Sequence, residues 1–301
     1  RGNDFDITVR NIALPEAECE ARLKSIDASI VKSGGVPNFF GYQRFGIVRP
    51  ITHLVGKKLL RGDIEGAAMD YIAKSFPGES EENRKVRDLV METRDFREGI
   101  RQFPLNLRYE RAMMHHLIEH PGDYAGAFQS LSPNLLRLFV HAYQSYLFNK
   151  LLSRRLLDGL PLKEPLEGDV VCFTDAHGEP DASKLETVTK KNMPDIKFLI
   201  KRNRAYVTLP LIGSDSGLDA GSTGEAERQV LEEEGISTED FRMAAMPELA
   251  SSGLRREIRL RVNPSISAGT GIARFKFFLP RGCYATTVLR EYMKSRPENM
   301  D

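Results

Sequence analysis

Cysteine is scarce in this chain of 301 residues: Cys19, Cys172 and Cys283 are all there is, far apart from one another. That spacing excludes a disulfide framework and a cysteine-built metal cluster, and it fits a reducing cytoplasm. Long apolar runs are also missing. Nothing approaches the roughly 20 residues that span a bilayer, and the opening residues lack the pattern of a secretion signal. Charge of one sign is not in excess either, with 43 Lys and Arg against 42 Asp and Glu and a formal net charge of +1. A polyanion could not be held by bulk charge and would need a local positive face. What is present, 41% hydrophobic and 28% charged residues, is a globular composition long enough for a sizeable core in one or two domains.

Hydrophobic periodicity divides the chain into three parts. At the start, Phe5, Ile7 and Val9 alternate with Asp6, Thr8 and Arg10, the period-two pattern of a half-buried strand. A helix is predicted next, with Pro15 in its first turn, Cys19, Leu23, Ile26 and Ile30 along one face, and Gly34-Gly35 as its stop. Over residues 54–159 the pattern is helical. Val86, Leu89, Val90, Phe96 and Ile100 trace a stripe, and Ser132-Pro133 makes the N-cap and first turn of a long helix ending near Gly159. Residues 170–173 and 205–212 read as strands and 214–224 as an exposed loop, with Ser222 and Glu225 as a capping box for a helix through Glu234. In the tail, Ile258, Leu260 and Val262 alternate with Arg259 and Arg261, and Phe275 and Phe277 with Arg274 and Lys276; a turn at 280–282 and a last helix over 287–294 follow. β-rich ends around a mostly helical middle predict an α+β protein in which one domain interrupts another.

Three clusters are candidate positive faces: Lys190, Lys191, Lys197, Lys201, Arg202 and Arg204; Arg255, Arg256, Arg259 and Arg261; and Lys57, Lys58 and Arg61. Each reads equally as solvated surface, with acidic residues gathered elsewhere, as at Glu232-Glu233-Glu234. His116 and His120 have the spacing of a two-histidine metal site on a helix, but no Glu or Cys completes it, so no metal is expected. Gly213-Ser214-Asp215-Ser216-Gly217 has Asp where a hydrolase elbow needs Ser, and Gly269-Thr270-Gly271 lacks the Lys of a phosphate loop; both read as turns.

The densest chemistry lies in Gly34-Gly35-Val36-Pro37-Asn38-Phe39-Phe40-Gly41-Tyr42-Gln43-Arg44-Phe45-Gly46. Glycines at both ends allow close backbone approach, while paired aromatics, amides and a guanidinium suit a planar, hydrogen-bonding, anionic ligand such as a nucleotide. The same residues also fit a loop that tucks Phe39 and Phe45 into the core.

As a whole the string resembles the signature of the TruD family of pseudouridine synthases, Gly-x-Pro-Asn-Tyr/Phe-Phe-Gly-x-Gln-Arg-Phe-Gly. Two further segments resemble the family in the same order: Ala142-Tyr143-Gln144-Ser145-Tyr146-Leu147-Phe148-Asn149 and Leu279-Pro280-Arg281-Gly282-Cys283-Tyr284-Ala285-Thr286-Thr287-Val288-Leu289-Arg290-Glu291. The length of the helical middle resembles archaeal or eukaryotic members more than bacterial ones. The resemblance implies a pseudouridine synthase core, with a mixed or antiparallel sheet and flanking helices, formed by residues 1–63 and 251–301. An α/β TRUD domain over residues 64–250 would interrupt it and contribute to an RNA-binding cleft. It implies isomerisation of uridine to pseudouridine in tRNA, at uridine 13, by base flipping and an aspartate, with no cofactor. A cytoplasmic monomer is expected.

By the same resemblance Asn38 and Phe40 belong to the substrate pocket, Asn38 positioning the aspartate and Phe40 stacking on the uracil. Gln43 and Arg44 brace the loop or contact a phosphate. Tyr284, Thr286, Thr287 and Arg290 sit at a strand–turn–helix junction whose helix N-terminus suits a phosphate; alternatively Arg290 and Glu291 form ion pairs that support the core. Gln144, Tyr146 and Asn149 read as helix–domain packing, with Ser145 and Asn149 on one face. The family's aspartate lies in a Gly-x-Lys-Asp-Lys-x-Ala-x-Thr-x-Gln-like segment that these 301 residues lack; Asp4, Asp6, Asp63 and Asp169 stand in unrelated contexts. The nucleophile is therefore expected ahead of this chain, and the chain alone is expected to be inactive. Two other readings stay open: an RNA-binding module without chemistry, and an unrelated enzyme that uses the aromatic loop for a free nucleotide.

Overall fold

The computed structural model describes residues 2–219 and 221–294; residue 220 of the expected loop and residues 1 and 295–301 of the expected core lie outside that set. The first and last strands of the chain are neighbours. β1 (Gly2–Val9) pairs antiparallel with the second arm of the tail hairpin, setting Phe5 opposite Phe277 and Ile7 opposite Phe275. α1 (Glu16–Ser33) follows, burying Cys19 and Leu23, and ends at Gly34, which at φ 101° turns the chain left-handed and returns its N–H to Ile30 and Val31. Pro15 stands just ahead of this helix as its cap rather than inside its first turn. β2 is the short Val36–Pro37.

Seven helices come next: α2 (Thr52–Leu60), α3 (Ile64–Ala73), α4 (Glu81–Thr93), α5 (Phe96–Gln102), α6 (Arg108–Glu119), α7 (Tyr124–Gln129) and α8 (Pro133–Leu157). α8 forms because Ser132 Oγ accepts the Leu135 N–H and Pro133 pre-sets the first turn. Its Leu136, Phe139, Val140, Tyr143, Leu147, Phe148, Leu151 and Leu152 are all buried, and α2 packs along it. β3 (Val170–Thr174), β4 (Pro180–Thr187), α9 (Met193–Lys201), β5 (Ala205–Leu211), α10 (Gly221–Glu234) and β6 (Leu254–Glu257) complete the middle, with an antiparallel sheet in the order β4-β3-β5-β6. β7 (Arg259–Leu260) pairs with β2. β8 (Ser265–Gly269) and β9 (Ile272–Pro280) form a hairpin turned by Thr270-Gly271, with β9 lying between β1 and β8. α11 (Ala285–Met293) ends the description.

Two apolar cores result. The larger draws on residues 51–258, the smaller on α1, Val36, Leu260, β9 and α11. β9 follows the alternation read from the sequence, burying Ala273, Phe275, Phe277 and Leu279.

Three expectations require correction. Ser222 lies inside α10, which already starts at Gly221, so it forms no box with Glu225; a capping box is instead made by Ser237 with Asp240, after the end of α10. The final helix begins at Ala285, not 287. The alternation from Ile258 to Val262 fails because the chain changes sheets there. Ile258 donates its N–H to Val207 of β5 and accepts the Asn38 N–H on its carbonyl, so one residue joins the two cores. Arg259, expected to face solvent, is 2% exposed. Neither β4 nor α9 was legible, since β4 is almost wholly exposed and α9 buries only Ile196 and Ile200.

A buried polar cluster ties α8 and α10 to the second sheet. Arg155 grips Asp169 with two bonds of 2.8 Å, and Arg255 grips Asp219 with two of 2.7 Å. The Asp219 N–H reaches Glu227 Oε2, but among the described residues Oε1 has no partner. Burial first, and then the charge of Asp219, raise Glu227 to about 7. A carboxyl with a raised folded pKa favours the folded state at low pH and loses that advantage as pH rises from about 4.5 to about 7. Glu227→Gln is therefore expected to raise unfolding stability at about pH 8 by up to ~3 kcal/mol, with the difference closing near pH 4. Urea titrations at both pH values check this.

Candidate active site

The signature loop leaves β2 at the joint between the cores. Asn38 is fully buried, and its side chain is satisfied by β6 on every side: Nδ2 donates to the Glu257 carbonyl (3.0 Å) and to Glu257 Oε1 (2.9 Å), and Oδ1 accepts from Arg256 Nη2 (2.6 Å). It thus locks loop to strand. Burial raises the Glu257 carboxyl above the usual range, although Arg256 and Asn38 pull the other way.

Phe40 is clamped from α8. Its N–H donates to Asn149 Oδ1 (2.9 Å), and Asn149 Nδ2 returns a bond to its carbonyl (3.0 Å). The half-buried ring lies edge-on to Phe148 (5.6 Å) and to Tyr284 (6.0 Å). The Arg256 guanidinium sits 4.2 Å from its centroid and that of Arg44 5.8 Å. Arg44 is held by Ser145, one helical turn before Asn149, through a 3.1 Å bond from Nε to Oγ. Burial lowers the Arg44 pKa, and Arg256 adds to the effect. Among the described residues neither guanidinium has a carboxylate within ion-pair distance.

Opposite Phe40, Tyr284 caps α11 and Thr286 Oγ1 donates to Gln43 Oε1 (3.1 Å). A side chain at Gly41 would collide with Gln43, Thr286 and Tyr284, so only glycine lets the loop come this close. Gln43 is exposed. Arg290 lies 5.7 Å from the Tyr42 ring, while Glu291 pairs with the exposed Lys294 one turn away on the same helix, so the expected core-supporting ion pairs are not seen among the described residues. The Cys283 thiol is pushed by burial to about 11 and is no nucleophile at neutral pH. His53, which stacks on Tyr146, is lowered by burial to about 4 and is neutral.

Asn38, Phe40, Gln43, Arg44, Tyr284 and Arg290 are thus drawn together from two segments, with α8 and β6 bracing them. The tucked-loop alternative holds for part of the loop, since Phe39 and Phe40 pack on the larger core and Phe45 lies against His53. Sequence reasoning missed Arg256 and Glu257, which looked like part of a surface charge run. Asn149 and Ser145 carried a signal in their four-residue spacing, but their partner is the loop itself. Gln144 and Tyr146 do serve packing, bonding Ile212, Ser251 and Glu234.

Two of the three basic clusters are not open faces. Lys57 pairs with Glu234, Lys58 with Asp70, and Arg61 donates to the Glu234 carbonyl. In the second cluster Arg255 is spent on Asp219, Arg256 turns into the site and Arg259 is buried. The α9 cluster is fully exposed. His116 bonds Asp123 at 2.8 Å. Asp6 is gripped by Arg274, Asp63 caps α3, Asp169 is held by Arg155, and Asp4 is exposed on β1.

The family model described as tRNA pseudouridine synthase D (TruD) matches residues 1–292. Relatives named "Probable tRNA pseudouridine synthase D" are 52% identical in Methanococcoides burtonii and 50% identical in Methanosarcina mazei, each over 99% of this chain and 70% of the relative. One from Halobacterium salinarum is 42% identical over 98% of this chain and 68% of its own length. A crystal structure from Methanosarcina mazei carrying the same family name superposes with a TM-score of 0.94 at 50% identity, covering 99% of this chain and 70% of that one. The chain belongs to the tRNA pseudouridine synthase D family.

Proposed function

We propose that these residues form the greater part of an enzyme that isomerises uridine to pseudouridine in transfer RNA, at uridine 13. The observation that carries this reading is Phe40, held half-exposed beside Tyr284 and flanked by two guanidinium groups without carboxylate partners among the described residues. A flipped nucleotide costs a few kcal/mol to unstack, and an aromatic face returns about 1–3 kcal/mol of it. The uracil rests on the face of Phe40 that Arg256 leaves open, and Arg44 and Arg256 receive the flanking phosphates. Asn38, tied to Arg256 and Glu257, fixes the loop that carries this ring.

Each aspartate noted in the sequence is committed elsewhere or lies on β1. The family resemblance implies that the nucleophile lies in a segment ahead of this chain. It attacks the ribose or takes a proton from it; the uracil leaves through N1, turns and rejoins through C5, so the atoms balance without a cofactor. We take residues 1–63 and 251–301 as the synthase core and 64–250 as the TRUD insertion; the smaller apolar core lies within the former, while α2 packs with the larger. A monomer acting in the cytoplasm fits this role.

A protein extended to include the family's aspartate segment is expected to form pseudouridine in a tRNA transcript with no metal or nucleotide added. The 301 residues alone are expected to bind the transcript without converting it. Dependence on ATP, or loss of activity with a chelator, would overturn the reading.

A further inference from the structure

Arg259 is a buried charge without a carboxylate. It is 2% exposed. Nη1 donates to the Gly34 carbonyl at 2.8 Å, and the guanidinium stands 5.7 Å from the Tyr206 ring. Among the described residues Nε and Nη2 have no hydrogen-bond partner and no acidic side chain pairs with the group. Burial and the like charge of Arg261 lower its pKa to about 10, which leaves it charged at neutral pH. Such a group destabilises the fold unless a counter-charge lies near it.

A cavity of about 470 Å³ borders it, walled by the Gly34-Gly35 turn, the end of α9 and the segment after β7. Its charged lining is Arg259, Lys163, Lys201, Arg261 and a single acid, Glu164; Lys163 donates to the Lys32 carbonyl. From its mouth the exposed cations of α9 continue outward: Lys201 and Arg202, then Lys197, with Lys190 and Lys191 ahead of the helix. Among them Phe198 is 54% exposed, with Arg202 4.5 Å from its ring. Cations interleaved with an exposed aromatic favour a nucleic-acid strand over an acidic peptide, which has no bases to stack.

We propose that this cavity receives a phosphate of the RNA backbone. The buried Arg259 charge attracts it from behind the cavity wall, the exposed Lys201 and Arg261 bond its non-bridging oxygens, and the strand runs along α9 with a base on Phe198. The inference rests on the RNA reading above and adds a second contact region. Glu257 turns toward Asn38 on one side of Ile258 and Arg259 toward Gly34 on the other, so the two regions share one joint.

The test is tRNA-transcript binding by the 301-residue chain over a salt series, with Lys201→Glu/Arg261→Glu compared with Lys85→Glu/Arg97→Glu, an equal charge change elsewhere on the surface. The groove variant is expected to bind about tenfold or more weakly and to lose about 1–2 from the slope of log K against log salt, while the control keeps most of its affinity. Arg259→Gln, with folding checked by thermal melting, should weaken binding in the same direction. Equal affinity and slope in groove and control variants would overturn the groove alone and leave the modifying activity standing. Failure of the unaltered chain to bind tRNA would overturn both. Competition by polyglutamate as effective as by RNA would overturn the RNA assignment of the groove.

Discussion

Alanine at position 40 is expected to slow pseudouridine formation by the extended enzyme about 10- to 100-fold. The stacking it removes is worth about 1–3 kcal/mol per base, and each 1.4 kcal/mol is a factor of ten in rate. The fold should tolerate the change. The ring is half-buried and its backbone stays clamped by Asn149, so the stability cost falls below the ~3–5 kcal/mol of a fully buried Phe→Ala. Phe40→Leu separates the two roles, because it keeps most of the apolar contact with Phe148 and loses the π face. Single-turnover kinetics beside thermal unfolding distinguish the outcomes. A Leu variant as fast as the wild type would show that Phe40 acts by packing, and an unaffected Ala variant would remove it from the pocket.

The largest stability effect is expected at Arg87. Its side chain is 1% exposed and bonds Glu79 at 2.7 Å, Glu110 at 2.9 Å and the Ile72 carbonyl. Arg49 joins the same pair of carboxylates, at 3.3 Å from Glu110 and 3.7 Å from Glu79, and donates to carbonyls at the end of α3. Two cations and two anions balance. Arg87→Met leaves two carboxylates sharing one guanidinium in the larger core, and removing one partner from a buried ionic cluster costs about 3–5 kcal/mol. Urea denaturation should show this loss. Adding Glu79→Gln to the Arg87→Met background restores charge balance and should recover part of it. A loss below about 1 kcal/mol would mean the cluster is more hydrated than its burial indicates.

The sequence made the periodic elements legible because their burial is one-sided. β9 buries every second residue and α8 fills the centre, so the patterns survive without a partner in view. The elements that were missed bury little and carry no period, as β4 and α9 show. Misreadings cluster where two cores meet. The run from Leu254 to Arg261 looks like a charged surface strand, yet Arg255, Arg256 and Arg259 each turn inward to a different acceptor, and no local pattern specifies three separate long-range partners. The site divides in the same way. The loop residues were visible through their density and family likeness, whereas Arg256 and Glu257 needed the fold to bring them 218 and 219 positions back along the chain to Asn38.

The pairing of β1 with β9 fixes an address as well as a sheet. Gly2 lies across from Pro280, four residues before the Tyr284 cap. Polypeptide that leads into β1 therefore arrives at the corner where the tail turns toward Phe40, with each extended residue contributing about 3.3–3.6 Å of reach. On the proposed reading, a carboxylate carried on that approach would be aimed by the register of the first strand, and a one-residue slip would swing it to the wrong side of the sheet.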